Sequence, residues 1–284
     1  MNYDTLYLTS GGTHGYSILG SIYVLEQLSY INLIKRYIGV SVGTLISFLL
    51  ILKYKSSDIF KILSSENIED IYFNSEFEKL NVILNLIKYY GMSNASGIDR
   101  ILNIFLKERH LDLNLTFKEL YEFNNIEFIT IASNITTSKL EYFSYKLTPN
   151  VKVLMAIKAS CAIPMIFNPI KYNNCLLVDG GFYNNIVNDF INNKTLTIRL
   201  KNLRANDFNN IFRYIKSLFN DLSQKIHIDN KFHSIELIFQ EPGTNFNITN
   251  SNKIKMYNYG IVETQTFIKW KKKLLKTFNI WKNY

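Results

Sequence analysis

The chain has 284 residues, of which 47% are hydrophobic, 14% aromatic and 19% charged. That composition excludes a disordered chain and supplies enough apolar surface for a large α/β core. The net charge of +9 is concentrated at one end, since Lys253 to Tyr284 holds eight lysines and one acid, Glu263.

The first residues, Met1-Asn2-Tyr3-Asp4, carry neither a basic start nor an apolar signal core. Thr5-Leu6-Tyr7-Leu8-Thr9 reads as a short strand, and Ser10-Gly11-Gly12-Thr13-His14-Gly15 as a tight glycine-rich turn. Ile18, Leu19, Ile22, Leu25 and Leu28 then fall at helical spacing. A second strand over Lys35 to Ile38 leads into Gly39-Val40-Ser41-Val42-Gly43, which opens the apolar run Val42 to Leu52. At 11 residues that run is a buried helix rather than a bilayer span, which needs roughly 20 residues. The opening therefore predicts β-turn-α-β-turn-α, the start of a parallel sheet with right-handed crossovers.

From Ser56 to about His110 the pattern is helical, with no strand signal: Ile59 to Leu63, Ile71 to Tyr90 closed by Gly91, and Ile98 to Lys107. Thr116 and Glu119 stand in capping-box register for a short helix. Ile126 to Ala132 and Leu140 to Tyr145 read as strands, and Pro149 begins a helix that Pro164 stops. Ile170 to Tyr172 and Leu176 to Val178 form a hairpin around Asn173-Asn174, and its second strand runs straight into Asp179-Gly180-Gly181. Thr195 to Leu200 and Ser234 to Phe239 are strands on either side of a helix at Phe208 to Ile226. A final helix from Gly260 places Phe267, Trp270, Leu274, Phe278 and Trp281 on one face, with Lys269, Lys271, Lys272, Lys273 and Lys276 mostly off it. Cys161 and Cys175 are too few for a disulfide framework and pair with no histidine at zinc spacing, so each is expected as a buried thiol. One domain over 1–284 is the simplest organisation.

Three turns that follow strands carry the chemistry: Gly11-Gly12, Ser41 and Asp179. In an open parallel sheet such turns gather at the carboxyl edge, where ligands bind. A hydroxyl on a sharp turn, a carboxylate and backbone N–H donors are the set that acyl transfer requires. Gly39 and Gly43 let the turn close with the hydroxyl of Ser41 exposed. Gly11 and Gly12 let a carbonyl approach their amides, at the entrance to a helix. Asp179 ends an apolar strand, and Gly180-Gly181 leave space beside it to accept a proton. The histidines His227 and His233 stand in no recognisable motif, and only one strand and one helix precede the strand bearing Ser41. That order argues against the usual Ser-acid-His hydrolase.

Together these motifs resemble the patatin-like phospholipases: a glycine-rich turn ending at Gly15, G-x-S-x-G about 28 residues later, and a distant Asp-Gly-Gly. Ala159-Ser160-Cys161-Ala162-Ile163-Pro164 is similar to that family's A-S-x-A-x-P element, and Thr116-Phe117-Lys118-Glu119-Leu120 to another recurrent piece. The resemblance spans Leu6 to Phe190. It implies a three-layer α/β/α fold with a mostly parallel central sheet, and ester hydrolysis on lipids without a metal or other cofactor. By the same resemblance Ser41 is the nucleophile, Asp179 the base, and Gly11 and Gly12 the oxyanion donors. Ser10 stands where the family usually has its first glycine and His14 where it has a basic residue, and Asn185-Ile186-Val187 lacks a proline expected after Asp-Gly-Gly.

The tail lies outside the resemblance. A basic helix with two tryptophans fits peripheral contact with an anionic membrane, and equally a packed helix with a solvated lysine face. Nucleic acid is not expected, because basic and aromatic residues are not interleaved on a sheet face. The expected location is cytoplasmic, peripheral to membranes. A lipid-binding scaffold of the same fold and a Ser-Asp-His esterase using His227 or His233 are the alternatives.

Overall fold

The computed structural model describes residues 2–65, 82–182, 190–202, 233–240, 243 and 248–281. The expected helix Phe208 to Ile226, His227, the segment Asn185-Ile186-Val187 and much of the expected helix Ile71 to Tyr90 lie outside them.

The main sheet is mixed. Strands β1 (Thr5–Leu8), β2 (Arg36–Val40), β4 (Glu127–Asn134), β9 (Thr195–Asn202) and β10 (Ser234–Phe239) run parallel in the order β10-β9-β1-β2-β4. Three antiparallel strands complete it: β5 (Lys139–Phe143) on β4, β8 (Cys175–Asp179) on β4, and β7 (Ile170–Tyr172) on β8. Its central strands are apolar without alternation because both faces are covered. Leu6, Leu8, Tyr37, Phe128 and Ala132 enter the larger core, while Tyr7, Ile38, Val40, Ile129 and Ile131 enter a smaller one on the opposite face.

The larger core is roofed by helices α1 (Gly15–Gln27), α2 (Val42–Ile51), α3 (Ser56–Ser65), α5 (Ser96–Glu108), α6 (Phe117–Asn124) and α7 (Val153–Cys161). Helix α4 (Val82–Tyr89) precedes α5. Helix α6 starts with the expected capping box, in which Thr116 accepts from the Glu119 amide and the Glu119 carboxylate accepts from the Thr116 amide. Helix α7 begins at Val153, not at Pro149.

Two expectations are corrected. The stretch read as wholly helical contains a strand, β3 (Gly91–Ser93), which pairs with β6 (Met165–Phe167) in a second small sheet. Gly91 therefore does not cap a helix. Tyr90 takes the left-handed position (φ 62°), and Gly91 lies so close to Phe167 that a side chain would strike its backbone.

The second correction concerns the last helix, α8 (Asn250–Trp281). Its buried stripe is Lys253, Gly260, Thr264, Ile268 and Lys271, whereas Trp270 is 42% exposed. Glycines set its closest contact with α1. A β-carbon on Gly20 of α1 would stand 1.9 Å from the Tyr257 carbonyl oxygen, and one on Gly260 1.9 Å from that of Ser17. The two helix backbones are in direct contact, and dispersion forces are strongest at such close approach. Cys161 is buried as expected, but Cys175 is only half-buried. None of the described helices is long and apolar enough to cross a membrane.

Candidate active site

Ser41 sits between β2 and α2 with φ 54° and ψ −125°. That is a left-handed position for a residue with a side chain, and its cost, on the order of 1–3 kcal/mol, is borne only where the surroundings impose it. Here they do. A β-carbon on Gly43 would lie 2.2 Å from the Leu8 carbonyl oxygen, and one on Gly39 2.5 Å from the Thr44 Cα, so the elbow closes only with glycine on both sides. The first turn of α2 begins immediately, with the amides of Thr44 and Leu45 donating to the Ser41 carbonyl.

Asp179 reaches the serine by a route the sequence did not suggest. It does not end a parallel strand. Thr130 to Asn134 of β4 carries β5 along one edge, so β2 and β8 share the other. Strand β2 leaves that edge at Val40, opposite Ile131, and β8 takes it over from the other direction, with Asp179 opposite Ala132. The two strands meet head-on, one register step apart, and Ser41 and Asp179 are the residues at the meeting. A β-carbon on Gly180 would lie 3.1 Å from Val40 Cγ1, which reports the same approach. The carboxylate is 7% exposed, and its Oδ1 accepts the Gly181 amide at 2.7 Å.

The glycine-rich turn closes the third side. Gly181 abuts the Ser10 hydroxyl, and Gly15 abuts the side chain of Val42. Gly12 has φ +55°, and a β-carbon there would stand 2.2 Å from the Gly243 carbonyl oxygen. The Thr13 amide and hydroxyl both donate to that oxygen, at 2.9 and 3.0 Å. No described residue accepts a hydrogen bond from the amide of Gly11 or Gly12. His14, beside them, is buried and stacked on Phe239 with ring centroids 3.8 Å apart, and burial pushes its pKa down to about 4. The turn thus holds a neutral imidazole near pH 7 where a cation would stand in the usual motif.

Gly12, Gly15, Ser41 and Cys161 line a cavity of about 130 Å³ whose other walls are mostly apolar, with Leu19, Leu45, Leu49, Ile101 and Phe167 among them. The Cys161 thiol is held well above its ordinary pKa, first by burial and then by the Asp179 charge, so it stays protonated. No group of three potential metal ligands occurs among the described residues.

His233 is not part of this arrangement. It precedes β10, whose Ser234 pairs with Thr197, and β9 in turn starts opposite Thr5. That is the amino edge of the sheet, where His233 lies 3.1 Å from the Tyr3 hydroxyl and 3.3 Å from Lys271 Nζ. A triad through His233 is therefore ruled out by position, and His227 lies outside the described residues. Sequence reasoning gave no role to Ser160, Thr44 or Thr130, three buried hydroxyls behind the elbow. Only the A-S-x-A-x-P element hinted at the first.

Known proteins resemble this chain in family and in fold. The model of the family described as patatin-like phospholipase matches residues 6–190. The chain is 31% identical over 271 residues to "Probable lipid hydrolase 463L" of Invertebrate iridescent virus 6, covering 91% of this chain and 86% of that protein. It is 27% identical over 228 residues to the uncharacterized protein R571 of Acanthamoeba polyphaga mimivirus, covering 75% of this chain and 73% of that one. Among solved structures, VipD from Legionella pneumophila superposes with a TM-score of 0.66 at 16% identity, over 95% of this chain and 67% of VipD, a likeness of fold.

Proposed function

The chain belongs to the patatin-like phospholipase family, and on that premise we propose that it is a lipid acyl hydrolase working through Ser41 and Asp179. The observation that carries this reading is the head-on meeting of β2 and β8, in which Val40 and Asp179 oppose consecutive residues of β4 and the strained serine follows Val40 at the junction. Ser41 Oγ attacks the ester carbonyl while Asp179 takes its proton. The tetrahedral oxyanion accepts hydrogen bonds from the Gly11 and Gly12 amides. Collapse breaks the ester C–O bond, Asp179 returns the proton to the leaving alcohol, and the acyl group stays on Ser41. Asp179 then deprotonates a water that attacks the acyl-enzyme, releasing the carboxylic acid and restoring the serine. The apolar cavity beside Ser41 suits an acyl chain.

The test combines fluorophosphonate labelling with fatty-acid release from mixed phospholipid vesicles. Ser41→Ala abolishes both signals, and Asp179→Asn lowers turnover by about 10²–10⁴-fold. Turnover that survives in Ser41→Ala overturns the reading.

We also propose peripheral contact with an anionic membrane through the outer face of α8, where Lys269, Trp270, Lys272 and Lys273 are exposed. Lys269→Gln, Lys272→Gln and Lys273→Gln together lower binding to phosphatidylserine vesicles at low salt and leave hydrolysis of a soluble ester intact. Unchanged vesicle binding by this folded variant overturns the contact.

A further inference from the structure

The Ala159 to Pro164 element is a sequence motif to which the reaction scheme gives no part, yet its residues hold both reacting turns. The Ser160 hydroxyl oxygen accepts the Ser41 amide at 3.0 Å, and the Ser160 carbonyl accepts the Gly180 amide at 3.3 Å. Two residues on, the Ala162 carbonyl accepts the Asp179 amide at 2.8 Å. Ser160 Oγ is also 2.9 Å from Thr44 Oγ1, which is 2.9 Å from Thr130 Oγ1, and all three side chains are fully buried.

Ser41 has a particular need for this acceptor. The pairing of β2 with β4 ends at Val40, and α2 begins at Val42. The Ser41 amide therefore belongs to neither ladder, and buried amides demand a partner. A side-chain oxygen supplies it, from a residue whose backbone is simultaneously fixed to the strand end that carries Asp179. From this we propose that Ser160 is a positioning residue that holds the Ser41 elbow and the Asp179 turn in their reactive relation. The proposal rests on the reading of Ser41 and Asp179 as the reacting pair. Ser160 does not line the apolar cavity, so it acts on the alignment of the attacking oxygen and not on the binding of the chain.

The experiment compares wild type, Ser160→Ala and Ser47→Ala. Ser47 is an equally buried hydroxyl on α2 that is outside this network. Steady-state hydrolysis of a soluble ester and hydrogen exchange at the Ser41 amide are both read. Misplacement of a nucleophile by about 1 Å costs on the order of 10²-fold, so Ser160→Ala lowers kcat by about that factor while KM stays within about threefold. Its Ser41 amide exchanges at least about tenfold faster. Ser47→Ala changes neither readout. Wild-type kcat with unchanged exchange in Ser160→Ala overturns the proposal, as does an equal loss of kcat in Ser47→Ala. If the wild-type protein hydrolyses nothing, the hydrolase reading fails by itself. The exchange measurement still decides the tether: faster exchange in Ser160→Ala supports it, and unchanged exchange overturns it.

Discussion

The two edges of the central sheet each hold a histidine, one half-buried and one buried, and they teach different things. At the amino edge His233 sits with Tyr3 and Lys271, and Lys271 also lies over the Tyr3 and Phe267 rings. Burial pushes the Lys271 ammonium down to about 8 and the Tyr3 phenol up to about 12. At the carboxyl edge His14 is buried against Phe239, and its pKa falls to about 4. Displaced pKa values occur at both edges, so they do not distinguish a site from a packed polar cluster. Backbone does. Among the described residues, only the carboxyl edge combines a serine at positive φ, amides with no described acceptor, and an apolar cavity.

The largest way to sharpen that contrast is a pair of substitutions, one at each edge. Gly12→Ala forces a β-carbon against the Gly243 carbonyl at a left-handed φ and shifts the adjacent amide. Loss of an oxyanion donor typically costs 100- to 1000-fold, and kcat is expected to fall by about that much. His233→Ala leaves kcat within about twofold of wild type, since nothing at the amino edge touches the reaction. Gly12→Ala with wild-type kcat, or His233→Ala without activity, breaks the comparison.

A smaller effect appears in stability against pH, read by denaturant unfolding. His14 has a folded pKa of about 4 against about 6.5 unfolded, so between those values the unfolded chain binds the extra proton. Stability is lost as pH falls from 6.5 to 4, by roughly 3 kcal/mol for this group, because one pKa unit is about 1.4 kcal/mol. His14→Gln flattens that limb. Lys271 gives a second rise from pH 8 upward. There the folded lysine has released its proton and the unfolded one, with a pKa of about 10.4, has not. Tyr3 opposes it above about pH 10, since its phenol ionises in the unfolded chain first. Lys271→Met removes the rise. A wild-type curve flat from pH 8 to 10 contradicts the assignment of Lys271.

What the sequence disclosed follows from how local each feature is. The capping box at Thr116 and Glu119, the Asn173-Asn174 hairpin and the glycine-flanked serine turn are written in a few adjacent residues, and all three were legible. That Ser41 and Asp179 stand at one junction was legible only through the resemblance of the motifs to those of a family. Its geometric cause is the change of neighbour along β4 at Ile131, a property of three strands together. Strand β3 was missed because three residues carry no periodicity, and its partner lies far along the chain. The tether from Ser160 spans 119 residues, and a lone serine on an apolar helix gives no sign of it. The packed face of α8 was misread because large side chains were weighed and glycines were not. Gly20 and Gly260 matter through what they lack.

That helix contact also bears on how the protein comes into being. Helix α1 leaves the ribosome before α8, with the groove around Ser17, Gly20 and Ser21 that α8 later fills. The residues that fill it follow roughly 240 positions later, which at about 5–20 residues per second is on the order of 12–50 s of synthesis. Throughout that interval the face of α1 that meets α8 lacks its partner helix.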